Sequence, residues 1–373
     1  MEPSRTSIRA RPATATTMLV CTLAFGSLLG WTLVRADDPL AAGLASLWQI
    51  PDIEAITQLG ALADARVWLD GEWWRVASAG LQHGSCLHLV LNMMGLWSVG
   101  QWTEKALGPW RSTGVFALSS IVGCLASLAW AEAPLVVGAS AGIFGLAGAL
   151  VVARAWGQAA MQRAVELVSA RTLAGWLMFW LLLGFALPWM FGIELIAQAG
   201  HIGGLLAGGL LGWALTRERR GFELVGWAST IVAAAGLAVV GQAPTWRANY
   251  HVFTGFELLQ RGEFERAAAA FEGGLAMAPD DPELANAVAW ALVEAGVELE
   301  RAEVLVRGAL ELEPERADYL DTLGWVLCKQ GRTSEGTTVL EQAKAIDADI
   351  SEIDEHLEQC SAVAMFHVEP LAT

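Results

Sequence analysis

Val137-Gly138-Ala139-Ser140-Ala141-Gly142-Ile143-Phe144-Gly145 frames one serine with glycines inside an otherwise apolar segment. Such a Gly-x-Ser-x-Gly frame has two meanings, because glycine, alanine and serine are also the packing residues where membrane helices cross. Polar partners separate the two, and the chain supplies four: His83, His88 and Asn92 upstream, His201 downstream.

Composition sets the class. With 54% hydrophobic and only 17% charged residues, the chain departs from soluble domains, in which about a quarter of residues are charged. The net charge of −16 lies wholly beyond residue 241, where 25 acidic and 9 basic residues stand against 14 of each before it. A neutral membrane domain is therefore followed by an acidic water-soluble one. The acidic balance argues against nucleic-acid partners.

A tail of residues 1–16 carries Arg5, Arg9 and Arg11 before an apolar run at 17–34, which reads as an uncleaved first span. Residues 35–82 form a long loop with Trp68, Trp73 and Trp74, a density suited to the headgroup region. Further apolar runs at 83–101, 112–131, 137–153, 172–191, 199–216 and 224–241 bring the expectation to seven spans within a membrane domain of residues 17–241. Lys105, Arg111, Arg154, Arg163, Arg171, Arg217, Arg219 and Arg220 follow the even-numbered spans. By the positive-inside rule the amino-terminal side is cytoplasmic and the acidic domain extracytoplasmic, with a bacterial inner membrane as the expected location.

This topology places the polar residues at one depth. On the helical rise, Ser140 lies roughly 21 Å from Arg154, His201 roughly 24 Å from Arg217 and Asn92 roughly 20 Å from Lys105. His88 and Asn92, four residues apart, share a helical face. Any one of these residues alone is an ordinary interhelical hydrogen-bonding group, but polar side chains from three spans at one level point to a site. A serine hydroxyl needs a base, which a neutral histidine provides. Gly200, Gly203, Gly204, Gly208 and Gly212 allow the His201 helix to come close. An asparagine amide, a second histidine and the Ser140 N–H are available to an oxyanion. No intramembrane carboxylate completes a triad, so the arrangement is a dyad. The nucleophile elbow of an α/β-hydrolase is excluded, since it requires a preceding strand and soluble βα units.

Trp74-Arg75, His83-x4-His88-x3-Asn92, Gly138-Ala139-Ser140-Ala141-Gly142-Ile143-Phe144 and Gly200-His201-Ile202-Gly203-Gly204 stand in one order over about residues 70–216. In this combination the chain resembles a rhomboid intramembrane serine protease. The resemblance implies Ser140 as nucleophile, His201 as general base, and His88, Asn92 and the Ser140 N–H as oxyanion donors. It further implies that Phe144 packs on the His201 ring, that Trp74 and Arg75 stabilise the first loop, and that His83, Gly138, Gly142 and Gly203 give structural support. Six spans plus one, transmembrane protein substrates with helix-destabilising segments, and no cofactor or metal also follow from it. Ala141-Gly142 departs from a common form in which glycine directly follows the serine; both positions stay small. The rival reading is an inactive rhomboid-like scaffold.

Beyond Gln242 the pattern changes. Gly255, Ala289 and Gly324 recur at 34 and 35 residues, as do Gly262, Gly296 and Gly331, while Pro279 and Pro314 are 35 apart. The period and the small residues are similar to tetratricopeptide (TPR) repeats, which implies an α-solenoid with a concave face for protein or peptide partners. Residues 242–349 form this expected repeat domain. A capping helix at 349–357 opens the terminal segment, 350–373. The whole chain is thus expected to be all-α: a polytopic helix bundle in the bilayer, then a solenoid. Cys328 and Cys360 are able to pair if the repeats face an oxidising compartment.

Overall fold

The computed structural model describes residues 11–366 apart from 132, 170, 180–181, 183–197 and 218–219. Its contacts divide the chain into two units, residues 1–244 and 245–373.

The first unit opens with α1 (Pro12–Arg35), followed by α2 (Pro39–Ala45), α3 (Ile53–Gln58), strand β1 (Leu62–Ala63), α4 (Asp64–Asp70) and α5 (Arg75–Ser78). The segment read from sequence as a plain loop is therefore folded. Asp38 and Asp52 start its first two helices by accepting backbone N–H bonds, and Gly71 ends α4 in the left-handed conformation. Then come α6 (Cys86–Leu107), α7 (Pro109–Trp130), strand β2 (Leu135–Val136), α8 (Ser140–Trp156), α9 (Ala159–Ala164) and helical residues 171–179 (α10). α11 (Gln198–Leu215) and α12 (Arg220–Gly241) complete the unit. By length and composition α1, α7 and α12 can each cross a bilayer, and α8 is a shorter apolar helix. The run expected at 172–191 lies largely outside the described residues.

Three boundaries differ from the hydropathy reading. α1 starts at Pro12, whose ring suits the first helical turn. α6 starts after Ser85, which caps it by accepting from His88 N, and it continues past residue 101 to Leu107. It thereby carries Glu104 as a buried carboxylate. Glu104 accepts from Ala13 N at 3.1 Å, Thr14 N at 2.9 Å and Thr14 Oγ1 at 2.8 Å. A carboxylate 90 residues downstream thus caps α1, satisfying orphan N–H groups that water cannot reach. Lastly, residues 137–139 are not helical; α8 begins at Ser140 itself.

α8 and α11 approach backbone to backbone. A Cβ on Gly204 or Gly208 would run into the backbone of Ala141 or Gly145, and one on Gly212 would meet Ala149 at 2.6 Å. The four-residue period on both helices makes one continuous small-residue seam. α12 begins at the Arg111–Glu223 ion pair and ends where Trp68 Nε1 donates to Gly241 O at 2.9 Å. Its carboxyl end therefore lies on the first-loop side of the bundle, and α1 begins on the opposite side beside Glu104.

In the second unit the helices pair as α13 (Ala248–Gln260) with α14 (Phe264–Leu275), α15 (Pro282–Ala295) with α16 (Leu299–Leu312), and α17 (Ala317–Lys329) with α18 (Thr333–Ile346). Buried Ala267, Phe271, Ala302, Val306, Leu340 and Ala343 form the repeating contacts between partners. The last helix, α19 (Ser351–Phe366), extends well beyond the 349–357 segment expected to cap the stack.

Replacing Glu104 by alanine leaves the start of α1 uncapped, at a cost of about 1–3 kcal/mol. Thermal unfolding of the purified protein in detergent is expected to show a lower Tm for Glu104→Ala and a smaller loss for Glu104→Gln, which keeps one acceptor.

Candidate active site

The site begins with the turn ahead of α8. β2 pairs antiparallel with β1, Leu62 opposite Val136 and Ala63 opposite Leu135, and Gly138 N donates to Ala79 O at 3.1 Å. Gly138 then takes φ +124°, a conformation that side chains disfavour. A Cβ there would sit 2.8 Å from His88 Nε2 and 3.8 Å from Ser140 Oγ. His88 and Ser140 therefore border the same space, kept open by the missing side chain.

Ser140 is the first residue of α8, so its N–H and those of Ala141 and Gly142 have no acceptor within the helix. These donors, at the positive end of the helix dipole, suit a developing negative charge. Across the seam, His201 Nε2 lies 2.8 Å from Ser140 Oγ. The imidazole is buried and stacked on Phe144, with centroids 4.4 Å apart and planes within 9°. Phe144 in turn meets Trp176 of α10 at 5.6 Å. His201 Nδ1 has no hydrogen-bond partner among the described residues. Ring stacking and helix packing hold the imidazole here, in place of the carboxylate of a triad.

Asn92 is buried on the same helix as His88, and its Nδ2 donates to His88 O at 3.0 Å, so the amide turns toward its own backbone. His83 is fully buried edge-on against His88, with centroids 5.2 Å apart. Gly142 packs against Ser120 and Phe116, and Gly203 against Ala126, so both permit close helix approach away from the hydroxyl. Trp74 and Arg75 lie in the first loop. The buried Arg75 guanidinium donates to Thr57 O, to Ala61 O at 3.0 Å and to Glu72 Oε2 at 2.6 Å, with Trp74 stacked 4.6 Å from it. The structure thus gathers Ser140, His201, His88 and Phe144 at one point and leaves Trp74 and Arg75 bracing the loop that leads there. Glu104 and Trp176 were not singled out from sequence. A carboxylate near a helix end and one tryptophan among eighteen carry no local signal of what they touch.

Residues 70–218 match the Rhomboid domain. The match spans Trp74 through His201. The chain is 28% identical to rhomboid protease GluP of Bacillus subtilis over 65% of this chain and 46% of that protein. It is 34% identical to rhomboid protease GlpG of Photorhabdus laumondii over 41% of this chain and 50% of that one. With inactive RHOMBOID-like protein 8 of Arabidopsis thaliana it shares 29% identity over 28% of this chain and 30% of the other. The chain spans about half the length, or less, of these relatives. The Rhomboid domain match stops short of the second unit.

Gly138→Ala is expected to strain the turn and push His88 aside. Modification of Ser140 by a fluorophosphonate should slow by about 100-fold in a protein whose circular dichroism is unchanged; an unaltered rate would show that Gly138 does not keep the space beside Ser140 open.

Proposed function

We propose that this chain is an intramembrane serine endopeptidase that cleaves transmembrane protein substrates near the outer face of the bilayer. The observation that carries the reading is the 2.8 Å contact between Ser140 Oγ and His201 Nε2, made by a ring locked against Phe144. As the hydroxyl attacks a scissile carbonyl carbon, its proton passes to His201 Nε2. The Ser140 N–H, His88 and, after rotation of its amide, Asn92 stabilise the oxyanion. Collapse of the tetrahedral adduct breaks the C–N bond, and His201 returns the proton to the leaving amine. A water molecule, deprotonated by the same imidazole, then releases the acyl group and restores Ser140. Side chains and water suffice for every step, so no cofactor or metal is invoked.

Peptide hydrolysis needs water, which sets the depth of the reaction. Ser140 at the start of α8 and His201 in the first turn of α11 are on the first-loop side of the bundle, where water has the shortest path. The basic residues at and beyond the carboxyl ends of α6, α8 and α11 support a cytoplasmic location for the opposite side. The end of α12 beside Trp68 supports an extracytoplasmic repeat unit in a bacterial inner membrane, and so does the bonded pair Cys328–Cys360. In this reading the paired helices α13 to α18 are TPR repeats that recruit substrates or other partner proteins.

The second reading, an inactive membrane scaffold acting through its repeats, is favoured by similarity to a relative designated inactive. A fluorophosphonate separates the two. Wild-type protein in detergent is expected to label at Ser140, and Ser140→Ala and His201→Ala to lose the label. Cleavage of a transmembrane reporter should fall by at least about 1,000-fold in either variant. Folded wild-type protein that neither labels nor cleaves sinks the protease reading.

Orientation has its own measurement. A membrane-impermeant thiol reagent applied to intact cells after reduction should modify Cys328 or Cys360; protection until lysis would move the repeat unit to the cytoplasm.

A further inference from the structure

The inner helices of the three repeats carry an aromatic residue directly after each small one: Phe256 after Gly255, Trp290 after Ala289 and Trp325 after Gly324. These equivalent rings differ in exposure, from 46% at Phe256 to 3% at Trp325. One turn earlier stand Asn286 and Asp321, also equivalent to each other. Asn286 Oδ1 is buried with no hydrogen-bond partner among the described residues, whereas Asp321 Oδ1 is 2.8 Å from His356 Nδ1. In the third repeat a side chain from outside the pair fills this position.

What fills it is α19. Ile353, His356 and Cys360 are the buried stripe of that helix, with Glu352, Asp354, Glu355, Glu358 and Gln359 exposed around them. The His356 ring stacks on Trp325, centroids 4.7 Å apart and planes within 19°, and lies 5.4 Å from Trp290. One turn further along both helices, Cys360 is bonded to Cys328. α19 thus runs parallel to α17 and seats one flat, donor-bearing side chain in a box of two tryptophans and a carboxylate.

We infer that α19 is a built-in pseudo-ligand: His356 occupies the Trp290–Asp321–Trp325 box, and the Cys328–Cys360 bond keeps a partner's arginine or histidine side chain out of it. This rests on the repeats acting as a peptide-binding unit. The partner is a basic peptide. A guanidinium or imidazole stacks on tryptophan and donates to Asp321, and the repeat unit's surplus of acidic residues attracts such a peptide. Opening requires a dithiol reductant. It gives two electrons and two protons to the disulfide, becomes a cyclic disulfide itself and leaves two thiols. The lost cross-link closes a loop of 32 residues, so its removal weakens docking of α19 on the order of 100-fold.

The test uses the full chain in detergent. Hydrogen exchange of residues 353–360 is followed in the oxidised protein, after dithiothreitol, and in Cys360→Ser, with mass spectrometry counting free thiols. Exchange in α19 is expected to rise at least about tenfold on reduction while α13 to α16 stay protected. Unchanged exchange once both thiols are free overturns the latch. So does loss of protection throughout the unit, which makes the bond a staple of the whole stack, or an oxidatively purified protein whose two thiols are already free. A fluorescent oligoarginine peptide then probes the box. It should bind Cys360→Ser/His356→Ala at least about tenfold more tightly than the oxidised wild type, and adding Asp321→Ala should abolish the gain. If α19 opens but the peptide does not bind, the box is not a recognition site and peptide recruitment fails while the latch stands.

Discussion

A 2.8 Å contact between side chains on two membrane helices demands that the helices themselves be closer than ordinary side chains permit. In lipid no hydrophobic gain drives helices together, so the approach depends on dispersion and on removing the atoms that stand in the way. The seam of Gly204, Gly208 and Gly212 against Ala141, Gly145 and Ala149 does this. Serine and histidine are short; with bulkier residues along the seam, neither could bridge the gap. Phe144, one turn after Ser140, reaches across the same seam and turns the imidazole face-on. Packing thus takes over the orienting work that a buried carboxylate does in triads, without placing a charge in the bilayer.

The close seam fixes where α8 begins, and the chain must reach that point without helical hydrogen bonds. Non-helical backbone at membrane depth is tolerated only where protein groups satisfy it. Here the first loop supplies them: β1 pairs with β2, and Ala79 O accepts from Gly138 N. Arg75 ties the loop together, adding its donors to the carbonyls of Thr57 and Ala61, which also accept the turn N–H groups of Gly60 and Ala63. The loop and the start of α8 are one construction, since displacing β1 would also displace the turn that delivers Ser140.

The candidate site residues are readable in the sequence because polar side chains are few in an apolar background. His88 and Asn92 at helical spacing, and His201 amid small residues, stood out for that reason. Periodicity in the last third showed paired helices through glycines and alanines at fixed offsets. What stayed hidden depended on distant partners. Glu104 follows the apolar run at 83–101, and only its contact with Thr14 identifies it as a cap. The start of α8 at Ser140 was masked because Val137 and Ala139 continue the apolar run; hydropathy reports burial and is silent about φ. The helices of the first loop are too short for periodicity to separate them from irregular chain.

Glycine serves both units. In the membrane unit it removes a side chain so that two backbones touch, and the gain is dispersion along the seam. In both units it also makes room for large apolar groups: a Cβ on Gly142 would overlap Phe116, one on Gly255 Phe271 and one on Gly324 Leu340, and Gly324 and Gly336 bring the backbones of α17 and α18 together. In the repeat unit the gain is apolar area withdrawn from water. A backbone seam like that of α8 and α11 needs small residues at every fourth position on two helices at once. A polar site is therefore cheap to position beside the seam and costly anywhere else in the bundle, and the hydroxyl and imidazole lie at its first-loop end.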